Sequence, residues 1–297
     1  FQKDIMSFTF KIKKITRNFL LYPFKIFNAM AIVYSKFLNL FDPNGSERIW
    51  EELVQKQIDS RINSDLRLNH SEYKSEKFKY EKKLNFFTPT RVASFRAKTL
   101  FSKEKDTIEW IDKKGGKDKI FFDIGANVGI YSLYYAHVFN GKVFSFEPSF
   151  RNLDLLARNI NLNNYNENIN VIACPIFKSK TINFFSQAET GGGHAGGATY
   201  GVKNKNVSNY KTLSLTIDFL VEYKIIDIPN LVKIDVDGNE IEILQGAFKT
   251  INMENCKSIL VETRNSTENQ VKEILKEANF KRIQLENKGI NEFWEKN

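Results

Sequence analysis

From Lys119 onward, short apolar runs alternate with segments whose apolar residues recur every three or four positions. Ile120-Phe121-Phe122 is a brief run that stops at Asp123-Ile124-Gly125, a strand ending in a glycine turn. Asn127 to Phe139 is almost continuously apolar and predicts a buried helix. Lys142 to Phe146 predicts a second strand, closed by Glu147-Pro148. Leu153, Leu156, Ala157 and Ile160 fall on one helix face. Further strands are predicted over Ile169–Ile176, Leu231–Val236 and Ser258–Val261. Ile241, Leu244, Phe248 and Ile251 line one helix, and Val271, Ile274, Leu275 and Ala278 another. Lys281–Leu285 and Asn291–Trp294 predict a terminal hairpin.

Strands that are apolar on both faces and alternate with helices imply a mostly parallel α/β sheet with helices on both faces. Ligands of such sheets bind beyond the carboxyl ends of the strands, where the strand order switches. Asp123, Glu147, Asp235 and Glu262 all fall at predicted strand ends, which is more acid on one rim than solvation requires.

The first part of the chain has a different texture. An apolar stretch from Phe19 to Phe41 is interrupted by Lys25, Asn28 and Lys36, a poor pattern for a spanning helix. Asp42-Pro43-Asn44-Gly45 is strong turn chemistry, and residues 59–83 are dense in charge. We therefore divide the chain into a basic helical N-terminal extension with a charged linker, residues 1–84, and a domain over residues 85–297. Of the net charge of +9, residues 1–41 supply +6 (seven Lys and Arg against Asp4). That tail reads either as an amphipathic helix resting on an anionic membrane surface or as a helix packed on its own domain or on a second subunit. The domain itself has no basic stripe, which disfavours nucleic acid as a partner. Two cysteines, Cys174 and Cys256, make no disulfide framework and match no zinc spacing, so a reduced, cytoplasmic setting is expected, with membrane contact only at the periphery.

Asp123-Ile124-Gly125-Ala126-Asn127-Val128-Gly129 joins the first strand to its helix. It lacks the Gly-Lys-Ser/Thr ending of a Walker loop. A dinucleotide fingerprint needs glycine where this chain has Asn127, so that the backbone can approach a pyrophosphate. Gly125 still permits the turn and Gly129 a close helix approach. Glu147 stands 24 residues after Asp123, where a carboxylate can accept both hydroxyls of an adenosine ribose. Asp123 is placed to meet an ammonium. Adenosine without diphosphate, joined to a cationic tail, describes S-adenosylmethionine. Taken singly, Asp123 as a helix cap and Glu147 as a solvated strand end would be unremarkable.

The runs FFDIGANVGIYS, VFSFEPSFRNLDLLARNINLN and LVKIDVDGNEIEIL resemble the FkbM family of methyltransferases, as do RVASFRAKTLFSKEKDTIEWID and GGGHAGGATYG. The likeness covers residues 85–297. It implies a Rossmann-like (class I methyltransferase) sheet, S-adenosyl-L-methionine as donor and a hydroxyl acceptor on a sugar, glycan or small metabolite. It places Asp123, Gly125, Asn127 and Gly129 around the methionine end and Glu147 on the ribose. Where many members carry an acid after the third strand, near the adenine, this chain has Pro175-Ile176-Phe177-Lys178-Ser179.

Asp235 is the first candidate for the base or acceptor-orienting group, because a hydroxyl is a weak nucleophile. With Asp237 it could also hold a hard divalent metal ion. Acids at Asp237 and Glu240 equally suit a helix N-terminus. Thr190–Gly201 holds six glycines and His194, which reads as a lid with an alternative base or as a flexible surface excursion. Arg91 and Arg96 could bind an anionic acceptor, or be surface ion pairs. The competing readings are a catalytically inactive adenosine-binding scaffold or interaction module, an RNA methyltransferase, and, more distantly, a nicotinamide oxidoreductase. Against RNA, Asp235-Val236-Asp237-Gly238 is not the Asn/Asp-Pro-Pro-Tyr type of motif that methylates exocyclic base nitrogens.

Overall fold

The computed structural model describes residues 84–187, 198–205, 207–263, 266–283 and 291–296. All of them fall in the second of the chain's two units, Arg61–Asn297. The N-terminal extension to residue 83, His194 and its glycine-rich neighbours, and residues 284–290 of the hairpin lie outside the described residues.

The alternation of short apolar runs builds a seven-stranded sheet. Its strands are β1 (Ile120–Ile124), β2 (Lys142–Phe146), β3 (Ile169–Ile172), β7 (Leu231–Ile234), β8 (Ser258–Glu262), β9 (Lys281–Ile283) and β10 (Asn291–Glu295), in the order β3-β2-β1-β7-β8-β10-β9. The first five are parallel; β10 runs antiparallel between β8 and β9. The order switches between β1 and β7, so a crevice opens above that pair.

Side chains alternate across this sheet. On one face Phe122, Ile124, Phe146, Val232, Ile234 and Val261 pack with Leu220, Leu244, Ile251 and Leu275 from α5 (Ile217–Glu222), α6 (Glu240–Gly246), α7 (Phe248–Asn252) and α8 (Glu268–Glu277). The opposite face lies under α2 (Lys105–Lys114) and α3 (Ile130–Phe139). There Phe121 stacks on Tyr135 at 5.0 Å, and Trp110 donates its indole N–H to Ser258 Oγ at 2.8 Å. Toward the carboxyl ends that same face turns polar. Parallel register sets Ser145, Asp123 and Lys233 side by side on three adjacent strands, all buried.

Helix α1 (Arg91–Lys98) begins where Thr90 Oγ1 accepts the Ala93 N–H at 3.1 Å, and α4 (Phe150–Leu162) begins at Ser149. Among the described residues, no helix is long and apolar enough to cross a membrane.

Several expected boundaries move. The helix predicted from Asn127 begins only at Ile130, because Asn127 (φ 54°) and Gly129 (φ 86°) are left-handed. The strand predicted to Ile176 stops at Ile172, and Ile176 bridges to Leu215 instead. The single helix through Ile241–Ile251 is two, broken at Ala247; the preceding Gly246 presses so close to the Phe177 carbonyl that a Cβ would lie 2.1 Å from its oxygen. Between β3 and α5 the chain also builds a separate antiparallel sheet that the periodicity did not reveal. It consists of β4 (Thr181–Gln187), β5 (Thr199–Tyr200) and β6 (Ser208–Ser214), in the order β5-β4-β6.

Candidate active site

The loop after β1 is held by backbone hydrogen bonds on both sides. Gly125 and Ala126 donate their N–H groups to the Phe146 carbonyl at 3.0 and 3.1 Å, and Asp235 donates its N–H to the Ile124 carbonyl at 3.1 Å. Gly125 sits at φ 84°, and a Cβ there would fall 2.0 Å from the Asp235 carbonyl oxygen. Glycine is thus required twice over, for conformation and for room. Gly129 has a different neighbour: a Cβ there would meet Leu156 at 2.5 Å, so this glycine lets α3 approach α4.

Above the switch point lies a cleft with about 750 Å³ of empty space, part of it open to solvent. Gly125, Asn127, Glu147 and Asp235 line it together, with Cys174, Pro175 and Ile176 at one end and Asp237 and Asn239 at the other. The small sheet supplies a wall through Phe185, Gln187 and Tyr200. A second hollow of about 400 Å³ adjoins it, bounded by Lys103, Glu104, Tyr131 and Lys233. The two share Arg96, Gly125, Asn127 and Asp235.

Glu147 is 5% exposed and anchored mainly by backbone: Oε2 accepts the Asn127 N–H and Oε1 the Ser149 N–H, each at 2.8 Å, and the buried Asn152 side chain adds a third hydrogen bond. Burial lifts its carboxyl to about 7, and these N–H bonds pull the other way. A carboxylate has about four acceptor positions, so acceptor capacity remains for a ligand's hydroxyl after these three bonds. The left-handed turn at Asn127 is what aims its N–H at Glu147.

Asp123 behaves otherwise than the sequence suggested. Its side chain is 0% exposed and lies beneath the loop, outside the residues lining the cleft. Its Oδ2 accepts the Ser132 hydroxyl at 2.6 Å, and the ammonium it faces is that of Lys233, 3.6 Å from Oδ1. Burial raises its carboxyl, with Lys233 and Ser132 opposing.

Lys233, 1% exposed, also donates to Asp235 Oδ2 at 2.8 Å and lies 4.9 Å from the centre of the Tyr131 ring. Burial works against its charge, but Asp235 and Asp123 together hold it above the usual lysine range. Burial would likewise raise Asp235, yet Lys233 and a hydrogen bond with Glu262 hold that carboxyl well below the usual range. The same hydrogen bond, with burial, lifts Glu262 to about 8. The opposite shifts favour one proton shared between the two carboxyls, held on Glu262 and donated to Asp235. Tyr131 donates its hydroxyl to Glu104 at 2.5 Å.

Lys233 and the roles of Glu262, Tyr131 and Glu104 escaped the sequence reading. An isolated lysine in an otherwise apolar strand, LVKI, was the available signal, because a lysine inside a parallel strand must find buried acids. No third residue joins Asp235 and Asp237: among the described residues, no group of three or more His, Cys, Asp or Glu is disposed to hold a metal ion.

The strand order, the antiparallel pair at the β8 edge and the cleft above the β1/β7 switch are those of the Rossmann-like class I methyltransferase fold. Residues 123–283 match the methyltransferase FkbM domain, and the chain belongs to that family. Hexuronic acid methyltransferase AglP of Haloferax volcanii is 27% identical over 164 residues, half of this chain and 59% of that protein. The chain thus spans about six-tenths of this curated relative. The structure of methyltransferase FkbM from Methylobacillus flagellatus aligns at TM-score 0.44 and 15% identity, over 69% of this chain and 55% of that one. A methyltransferase from Streptococcus mutans, solved in complex with SAH, aligns at TM-score 0.39 and 10% identity, over 64% and 94%.

Proposed function

We propose that this chain transfers a methyl group from S-adenosylmethionine to a hydroxyl of a sugar, glycan or small metabolite. The carrying observation is Glu147: a buried carboxylate at the end of β2, fixed by two backbone N–H groups and the Asn152 side chain, with acceptor capacity left over in a cleft above the switch point. That arrangement fits a ribose diol. Cys174, Pro175 and Ile176 would flank the adenine by apolar contact, without the acid common in relatives. The left-handed Asn127, in place of the glycine a pyrophosphate demands, fits a donor without phosphates. The name of the Haloferax relative supports a sugar acceptor.

The donor, once bound, supplies an electrophilic sulfonium methyl. The chain's part is orientation and proton acceptance. Asp235, kept ionised by Lys233, accepts the acceptor hydroxyl's hydrogen bond and aligns its oxygen. So acidic a carboxyl is a poor base toward a free alcohol. It suffices here, because the proton leaves only as the new C–O bond forms, and an O-protonated ether is a far stronger acid than any carboxylic acid. Asp237 and Asn239 line the same end of the cleft and would shape the acceptor's seat. We retain His194 as a candidate second base and Gly129 as a supporting glycine.

Calorimetric titration with S-adenosylmethionine and, separately, NADH tests the reading, followed by mass spectrometry of hexuronate-containing glycans after incubation with donor. Donor binding without NADH binding, and methylated product, is the expected result. A folded protein that binds no donor would overturn it.

A further inference from the structure

The small sheet has two faces with opposite characters. The face carrying Phe185 looks into the cleft. On the other face, register places Ile182 opposite Leu213 and Phe184 opposite Lys211. Side chains of this kind are usually buried, yet Ile182 is 67% and Leu213 49% exposed. Val202, whose carbonyl accepts the hydroxyl of Ser186 on this same face, is 57% exposed. The half-buried Phe184 ring is flanked by two ammonium groups, Lys203 at 5.3 Å and Lys211 at 5.7 Å. Among the described residues of 178–214 there are five lysines and no Asp or Glu.

We propose that this outer face docks on an anionic lipid bilayer, aliphatic side chains entering the headgroup boundary and lysines meeting the acidic headgroups. The chemistry selects the bilayer over other occupants. Protein interfaces are depleted in lysine and built around buried aromatic or arginine anchors, whereas this face pairs lysines with exposed aliphatic groups. A second copy would bring lysines against lysines. Single-stranded nucleic acid stacks on bare aromatic rings, and the one ring here is half-buried between two ammonium groups. Lysines with aliphatic stems beside apolar residues are the pattern that partitions to a bilayer surface. Each basic residue near an anionic surface strengthens binding several-fold. The inference does not depend on the reaction proposed above. It gives that reaction a setting, because the sheet that walls the cleft on one side would rest on the membrane with the other.

The test is sedimentation of the full chain with phosphatidylcholine vesicles, with and without phosphatidylglycerol. The basic N-terminal segment could bind such vesicles by itself, so two double variants accompany the wild type: Ile182→Asp with Leu213→Asp, and Lys203→Glu with Lys211→Glu. Thermal melts confirm that each folds. The expected result is binding that requires phosphatidylglycerol, weakens with salt, and falls about tenfold or more in both variants. A Leu213→Trp variant provides a reading independent of the loss: its emission shifts to the blue on vesicle binding. Wild-type and variant chains that bind equally, a tryptophan that does not shift, or displacement by oligouridylate from a site that ignores vesicles would each overturn the proposal.

Discussion

The cleft holds a buried or half-buried carboxylate at each end, and the fold treats the two in opposite ways. Glu147 is held by two backbone N–H groups with no cation beside it, and burial lifts it to about 7. Asp235 is bound to a buried lysine, and its carboxyl is driven down. The first is a hydrogen-bonding station, suited to neutral diols. The second is a fixed negative charge, suited to orienting a hydroxyl or meeting a cation. The difference comes from the alternation of side chains. Lys233 shares a sheet face with Asp123 and Asp235, whereas Glu147 lies beyond the end of β2, where loop backbone and the neutral Asn152 side chain are within reach and no cation is.

Removing Lys233 should break this contrast most severely. Lys233→Met leaves Asp123 fully buried without its cation and frees Asp235 to rise toward an ordinary carboxyl. Breaking a buried pair in this way costs about 3–5 kcal/mol. Urea denaturation should show a loss of that size, and adding Asp123→Asn should recover part of it. If Lys233→Met alone were neutral, the buried network would not be what holds Asp235 ionised. At the other end, Glu147→Ala removes a charged acceptor from a bound diol. A charge-assisted hydrogen bond of this kind is worth about 1.5–3 kcal/mol, so donor affinity should fall about ten- to a hundredfold with the melting temperature little changed. The pH dependence has a definite sign. Below about 7 Glu147 is protonated and one oxygen becomes a donor. Wild-type donor affinity should therefore weaken by up to about tenfold per pH unit on the acid side and level off above about 7, as titrations in that range would record.

Legibility followed the same physics. Where apolar runs were continuous, as in β1, β2, β7 and β8, strand positions and the acids at their ends could be read directly, and the site is built from three of those four ends. What could not be read was which way an acid turns. Asp123 and Glu147 look equivalent in sequence, yet one lies inside a strand on the buried face and the other one residue past a strand end. Lys233 was visible as an anomaly, but its partners depend on the register between β1 and β7, which no local pattern encodes. The small sheet was missed because its outward residues, Ile182 and Leu213, are apolar, so β4 and β6 lack the alternation that marks a half-buried strand.

Gly129 sharpens the comparison from another side. It belongs to the same motif as Gly125, but its missing side chain makes room for Leu156 rather than for the cleft. Gly129→Ala would force a left-handed alanine and crowd that leucine, at a cost of about 1–3 kcal/mol. Its donor affinity per folded molecule should stay within about twofold of the wild type. Gly125→Ala, by contrast, should abolish donor binding because the new Cβ collides with the Asp235 carbonyl. Equal effects of the two on affinity would mean that Gly129 touches the ligand after all.

The smallest effect expected is at Glu262, whose proton is shared with Asp235. Its carboxyl titrates near 4.5 when unfolded and about 8 when folded. Between those values the folded chain binds more protons, so stability falls as pH rises through that window and levels off above it. Glu262→Gln keeps a permanent donor toward Asp235 and cannot ionise, so it removes this slope. Glu262 is partly exposed, so the gain should be well under the ~1.4 kcal/mol per pH unit of a fully effective group. The readout is the difference in melting temperature between variant and wild type, which should widen from about pH 5 to about pH 8 and then stay constant. Glu147 contributes a slope of the same sign to both proteins and cancels in that difference. Parallel curves across the whole range would show that no proton is shared, and Asp235 would then owe its ionised state to Lys233 alone.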